Sequence, residues 1–190
     1  MDTAGLILAA GGGRRYGMPK ALVAYEGKLL VERAAETLRE AGVTQRLVVL
    51  GAQAPTVLEQ AAELPPSVLN PDWASGLGSS LRVGLEALTG TPAEAVVVLL
   101  VDMPRVTAEA VRRVTAFAAD DALVMGGYGT RRGHPVLLGR RHWPGVIETA
   151  TGDRGARDYL RAHAGEVRVV PVGDVADDFD LDVQQCEGKP

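Results

Sequence analysis

Residues 95–101, AVVVLLV, form a continuous, β-branched apolar run that stops sharply at Asp102, Met103 and Pro104. A strand without polar alternation has no face to offer water. It must be covered on both sides, as in a parallel sheet held between helical layers. Residues 4–10 (AGLILAA) and 46–50 (RLVVL) have the same character. Amphipathic stretches separate these runs. Residues 30–41 place Leu30, Ala34, Leu38 and Ala41 on one helical stripe, and Gly42 supplies a natural stop. Residues 54–63, 78–89 and 107–119 read similarly, with Thr107 as a capped start. Further on, the pattern predicts an apolar segment at 134–138, a helix around 154–163 and a strand at 167–172. Pro171 inside that last run predicts an edge strand or a strand end.

This alternation, without internal repeat or long linker, predicts a single three-layer α/β domain over residues 1–190. The expected architecture is Rossmann-like with a mostly parallel sheet. In such sheets ligands bind beyond the carboxyl ends of the strands, so the residues following each strand carry the chemistry. An apolar fraction of 46% in 190 residues supports a real core. A net charge of −4 argues against a nucleic-acid binder, which needs a broad basic face. Cys186 is the only cysteine, so no intrachain disulfide can form. The start lacks a basic segment before its apolar run, and no run has a membrane-spanning length. The expectation is a cytoplasmic protein.

The first strand leads straight into GGGRRYGMPK, residues 11–20. Consecutive glycines let backbone N–H groups approach an anion closely. The dinucleotide fingerprint fails because position 16 is Tyr. The P-loop fails because Gly17 is followed by Met18. What remains is a glycine-rich turn carrying Arg14, Arg15 and Lys20, suited to the charge that develops when pyrophosphate departs. Asp102, at the end of a buried strand, can screen a triphosphate through magnesium, which takes few protein carboxylates. The stretch 177–182 (DDFDLD) offers further acids.

LILAAGGGRRYGMPKAL resembles the LAAGxSxRMGxxK signature of the MobA-like nucleotidyltransferases. It is most similar to their molybdenum cofactor cytidylyltransferase branch, where the signature continues into PKAL. The resemblance implies that the loop wraps the triphosphate. Leu8, Ala9, Ala10, Gly11, Gly12, Gly13 and Arg14 would frame the nucleotide, with Arg15 and Lys20 as the functional cations. Gly13 stands where the family usually has Ser, and Tyr16 where it has Met. The resemblance also makes Asp102 the principal Mg²⁺ ligand. Asp182 is then the favoured second ligand and Asp180 a close alternative, although the family's downstream TPED is VQQC here.

NPDWASGLGSSLR at 70–82 is similar to the family's NxxWxxGxxxSL run, which implies nucleotide contact through Asn70, Gly76, Ser79 and Ser80. The basic segment 126–135 contains GHP, and 152–157 reads GDRGAR; both resemble the cytidylyltransferase branch. They imply acceptor binding by Arg132, Gly133, His134 and Asp153, although Asp153 can equally cap the helix after it. His142, Trp73 and Trp143 read as packing residues. The resemblance spans residues 4 to about 183. It implies transfer of a nucleoside monophosphate, CMP from CTP, to the terminal phosphate of a molybdenum-bearing pterin, with a molybdenum apo-enzyme as possible recipient. A sugar-1-phosphate nucleotidyltransferase and a non-catalytic cofactor chaperone are the alternatives.

Overall fold

A computed structural model describes residues 2–181. The apolar runs become β1 (Thr3–Ala9), β4 (Gln45–Leu50) and β6 (Ala95–Leu100), with β5 (Ser67–Leu69) beside β4; β2 (Ala24–Tyr25) and β3 (Lys28–Leu29) form a separate small hairpin. β7 (Leu123–Tyr128), β8 (Arg131–Gly139) and β9 (Arg168–Pro171) complete a seven-stranded sheet in the order β5-β4-β1-β6-β8-β7-β9. All neighbours pair in parallel except β8, which runs antiparallel between β6 and β7. The sheet is thus mostly parallel, as the unbroken apolar runs predict. β9 lies at its edge, where Pro171 costs no ladder on the outer side.

Alternate residues of one strand feed two cores. Val97 and Leu99 of β6 join Leu30, Val31 and Leu38 of α1 (Leu30–Glu40), Val57 of α2 (Ala54–Gln60), and Val111 and Val114 of α4 (Ala108–Thr115). Val96 and Val98 join the opposite cluster. There Leu81 and Leu85 come from α3 (Leu77–Leu88), Trp143 and Val146 from α5 (Trp143–Thr149), and Leu160 from α6 (Arg157–Ala162). Both faces of the strand are therefore dry, which is why it carries no polar alternation. Among the described residues, no helix is long and apolar enough to cross a membrane.

The helices stop earlier than their patterns suggest. α4 starts as expected, with Thr107 Oγ1 accepting from Ala110 N at 3.2 Å. It ends at Thr115, after which the chain tightens into i→i−3 turns such as Ala118 N to Thr115 O, 3.0 Å. Asp153 caps nothing. α6 begins after Ala156 with no side-chain cap, and Asp153 instead sits in a 3₁₀ turn against Gly76. That corrects the capping alternative.

Candidate functional site

β1, β4, β6 and β7 end at one edge of the sheet, and antiparallel β8 begins there. The glycine-rich loop, Asp102 and the Arg132–His134 segment therefore share that edge. Gly13 folds the loop back on itself: its carbonyl accepts from Tyr16 N (3.0 Å) and Gly17 N (2.8 Å). Its φ is +62°, and a Cβ there would lie 1.9 Å from Met18 O. A serine at this position would break the turn as it is built, so the family's usual Ser cannot occupy this backbone. Just beyond, a 3₁₀ turn over Lys20–Leu22 buries Ala21 and Leu22 in the core and fixes the base of Lys20.

Lys20 Nζ donates to Asp102 Oδ2 at 3.0 Å and stands 3.7 Å from Asp180 Oδ1. The Lys20 and Asp102 side chains are only 14% and 22% exposed, so solvent screens this pair weakly. Asp102 is held by the strand behind it, since Val101 N donates to Leu8 O at 3.2 Å. The C-terminal stretch is stitched to it by Leu181 N donating to Asp102 O at 2.9 Å. That bond is what carries Asp180 into the site. Asp182 lies outside the described residues.

The second oxygen of Asp102, Oδ1, is buried and has no hydrogen-bond partner among the described residues. A buried carboxylate oxygen without a donor is costly, and a hard cation would satisfy it. With Asp180 nearby, the oxygen donors present suit magnesium, which completes its shell with phosphate oxygens and water. No cluster of three or more His, Cys, Asp or Glu exists among the described residues.

These groups border a cavity of about 1080 Å³, on the scale of sites that hold a nucleotide together with a second molecule. Leu8, Ala10, Gly11, Gly12, Gly13, Arg14, Arg15 and Ser80 line it on the β1 side and Arg132, Gly133 and His134 on the β8 side; Gly76 and Asp153 line it too, packed against each other. Ala9 does not reach it, because its side chain points into the opposite core. Asn70 and Ser79 do not line it either. Asn70 is wholly buried and donates through Nδ2 to Ser79 Oγ (2.8 Å) and Ser80 Oγ (3.0 Å), while its Oδ1 accepts from Asp72 N (3.0 Å). Ser79 Oγ donates onward to Gly76 O at 2.8 Å. Their polar atoms are spent on holding the loop that presents Gly76, which corrects the reading of Asn70 and Ser79 as direct contacts. Asn70→Ala removes both donated bonds inside a dry pocket, an expected loss of about 2 kcal/mol. Urea unfolding measures it, and an unchanged midpoint would mean the network carries no load.

His134 is half-buried, and burial pushes its imidazole down to about 4. Asp102 opposes that shift and the Arg157 guanidinium adds to it. At neutral pH the ring is uncharged and can donate or accept one hydrogen bond. His142 and Trp143 are buried packing residues, as expected. Trp73 is not only packing: it lines the cavity, with Cζ3 2.9 Å from where a Cβ on Gly12 would stand. Sequence reasoning also missed Arg154, Arg157 and Arg161, which line the same cavity. The signal available was the i,i+4 spacing of Arg157 and Arg161, which sets both on one helix face.

A family model for the MobA-like NTP transferase domain matches residues 5–167. The nicotine blue oxidoreductase of Paenarthrobacter nicotinovorans is 37% identical over 94% of this chain and 91% of its own length. The probable molybdenum cofactor guanylyltransferase of Bacillus cytotoxicus is 29% identical over 63% of this chain and 59% of that protein. Among solved structures, Rv0371c of Mycobacterium tuberculosis H37Rv in complex with manganese superposes with a TM-score of 0.77, at 27% identity, covering 95% of this chain and 94% of that one. The glycine-rich turn, the strand-end aspartate and a match across most of the sequence agree, and the chain belongs to the MobA-like NTP transferase family of nucleotidyltransferases.

Proposed function

We propose that this protein transfers CMP from CTP to the terminal phosphate of the molybdenum cofactor's pterin, with release of pyrophosphate. The observation that carries the reading is the meeting of Lys20 and Asp102 at 3.0 Å beneath a glycine-rich turn, with Asp102 Oδ1 buried and without a hydrogen-bond partner among the described residues. Arg14, Arg15 and Lys20 bind the triphosphate. The acceptor phosphate is held on the other side by Arg132 and His134. An acceptor phosphate oxygen forms a bond to the α-phosphorus, the bond between that phosphorus and the bridging oxygen breaks, and pyrophosphate leaves with the electron pair. That phosphate is already ionised near neutral pH, so the protein supplies position and charge rather than a general base.

Asp102, with Asp180 or Asp182, would hold magnesium. When bound, the ion screens the charge on the triphosphate and on the departing pyrophosphate. That the related Rv0371c forms a complex with manganese supports divalent-ion binding by this chain. The molybdenum acceptor rests on the cytidylyltransferase-like GHP and GDRGAR segments and on the guanylyltransferase relative. A cytoplasmic location and hand-over to a molybdenum apo-enzyme belong to the same reading.

A pyrophosphate-release screen over CTP, GTP, UTP and ATP tests it, with molybdenum cofactor or sugar 1-phosphates as acceptors and magnesium present. Turnover is expected with the molybdenum cofactor; turnover with sugar phosphates alone would move the acceptor to another class. Calorimetry of the same nucleotides is expected to favour CTP on the order of tenfold, the worth of one or two base-edge hydrogen bonds. Equal binding of all four would remove base recognition from the reading.

The 37% identity to a protein named for oxidoreduction supports a second reading, a redox reaction in the same cavity. Its signature would be consumption of NADH or NADPH by the protein in the presence of a dye. Pyrophosphate release without such consumption excludes it.

A further inference from the structure

The acceptor half of the cavity has chemistry of its own. Val98, Val136 and Met125 stand in register across β6, β8 and β7, and all belong to the same core face. Two strand spacings separate the outer pair, roughly 10 Å, the span of a bicyclic or tricyclic ring system; Val98 and Val136 are 3% and 4% exposed and Met125 is the more open, so the row meets the cavity chiefly through Met125 as an apolar floor. Leu138, fully buried, closes the floor from below, and Leu160 and Val167 form a side wall. His134 stands one pleat above Val136 on the same strand, at the mouth.

The rim is cationic. α6 carries exposed Arg157 and Arg161 one turn apart along the cavity. Arg161 approaches Asp158 (3.8 Å), and Arg154 also turns to Asp158 (3.1 Å), so their charge is partly answered. Arg157 lines the cavity three residues before Leu160 of the side wall. An apolar floor under an arginine rim complements one kind of molecule.

We propose that this half of the cavity is a subsite for a flat, mainly apolar aromatic ligand bearing an anionic group, with the rings on the Val98–Val136–Met125 floor and the anion on Arg157. This goes beyond the transfer reaction and holds whichever reaction the glycine-rich half performs. It also constrains the acceptor. A pterin edge carries several donors and acceptors that would lose water over Val98, Val136 and Met125 without replacement. The ring that enters is less polar than a pterin, and a pterin acceptor keeps its ring at the mouth, outside the floor.

The test uses 1-anilinonaphthalene-8-sulfonate, an anionic bicyclic probe, titrated by fluorescence into the whole protein. One saturable site is expected. Arg157→Gln weakens it roughly tenfold or more, the cost of a lost charged hydrogen bond, and Arg157→Lys recovers part of the loss. Arg39→Gln, an exposed cation on α1, leaves binding unchanged. Met125→Gln, with its melting temperature checked, weakens binding by putting an amide on the floor. Neither the four nucleoside triphosphates with magnesium nor pterin-6-carboxylate displaces the probe. Unchanged binding in Arg157→Gln overturns the proposal, as does displacement by a nucleotide; displacement by pterin-6-carboxylate overturns the claim about ring polarity. Pyrophosphate release is measured separately, so the transfer reading can fail while probe binding survives.

Discussion

Asp102→Ala is expected to lower pyrophosphate release by roughly 10³-fold, because it removes the carboxylate that would hold the metal against the reacting phosphates. Stability should not follow activity. Asp102 Oδ1 is a buried oxygen without a donor among the described residues, so the native carboxylate already carries a desolvation cost. Its removal also takes one partner from Lys20, which still lies 3.7 Å from Asp180 Oδ1. The two effects oppose each other, and the melting temperature should shift by only a few degrees while Mn²⁺ binding, followed by electron paramagnetic resonance, is lost. A variant that keeps full activity in magnesium would reject the metal role. A variant that merely unfolds would show that Asp102 is structural.

Lys20→Ala is expected to reduce kcat/KM on the order of 10²- to 10³-fold through the loss of a charge-assisted contact to phosphate. The same substitution makes an opposite prediction for the metal. Lys20 sits against Asp102 and near Asp180, so a cation already occupies the electrostatic place of the metal. Without it, Mn²⁺ binding in the absence of nucleotide should tighten, while catalysis falls. A phosphate-binding lysine that only sat near the metal would not produce that split. An unchanged rate would take Lys20 out of the site altogether.

Several features were legible because they are local. The unbroken run at 95–101 reports that both of its faces are dry, and the structure puts it at the centre of a mostly parallel sheet. Pro171 marks β9 as an edge strand because a proline cannot donate to a second neighbour. Three glycines after a buried strand mark a tight turn, and the structure adds that Gly13 must be glycine for steric reasons.

Other features were not legible. Asn70 and Ser79 look like ligand-facing polar residues along the chain, yet their partners are each other across nine positions. Nothing in the spelling of 70–82 separates a hydroxyl aimed at a nucleotide from one that fixes a loop. Trp73 reads as packing, because an aromatic residue has the same composition signal whether it fills a core or a cavity wall.

What the sequence by itself determined is the set of parts: two-faced strands, their edge loops, and the basic and acidic residues those loops carry. Each follows from periodicity or backbone chemistry within about a dozen residues. The tertiary structure alone decided which parts meet. Lys20 finds Asp102 across 82 positions only because β1 and β6 are adjacent and parallel. Asp180 joins them because Leu181 N bonds to Asp102 O. Arg157 comes to overlook a flat floor only once antiparallel β8 brings Val136 between Val98 and Met125. Strand order and direction are set by how two cores pack at once, and no local pattern encodes that sum.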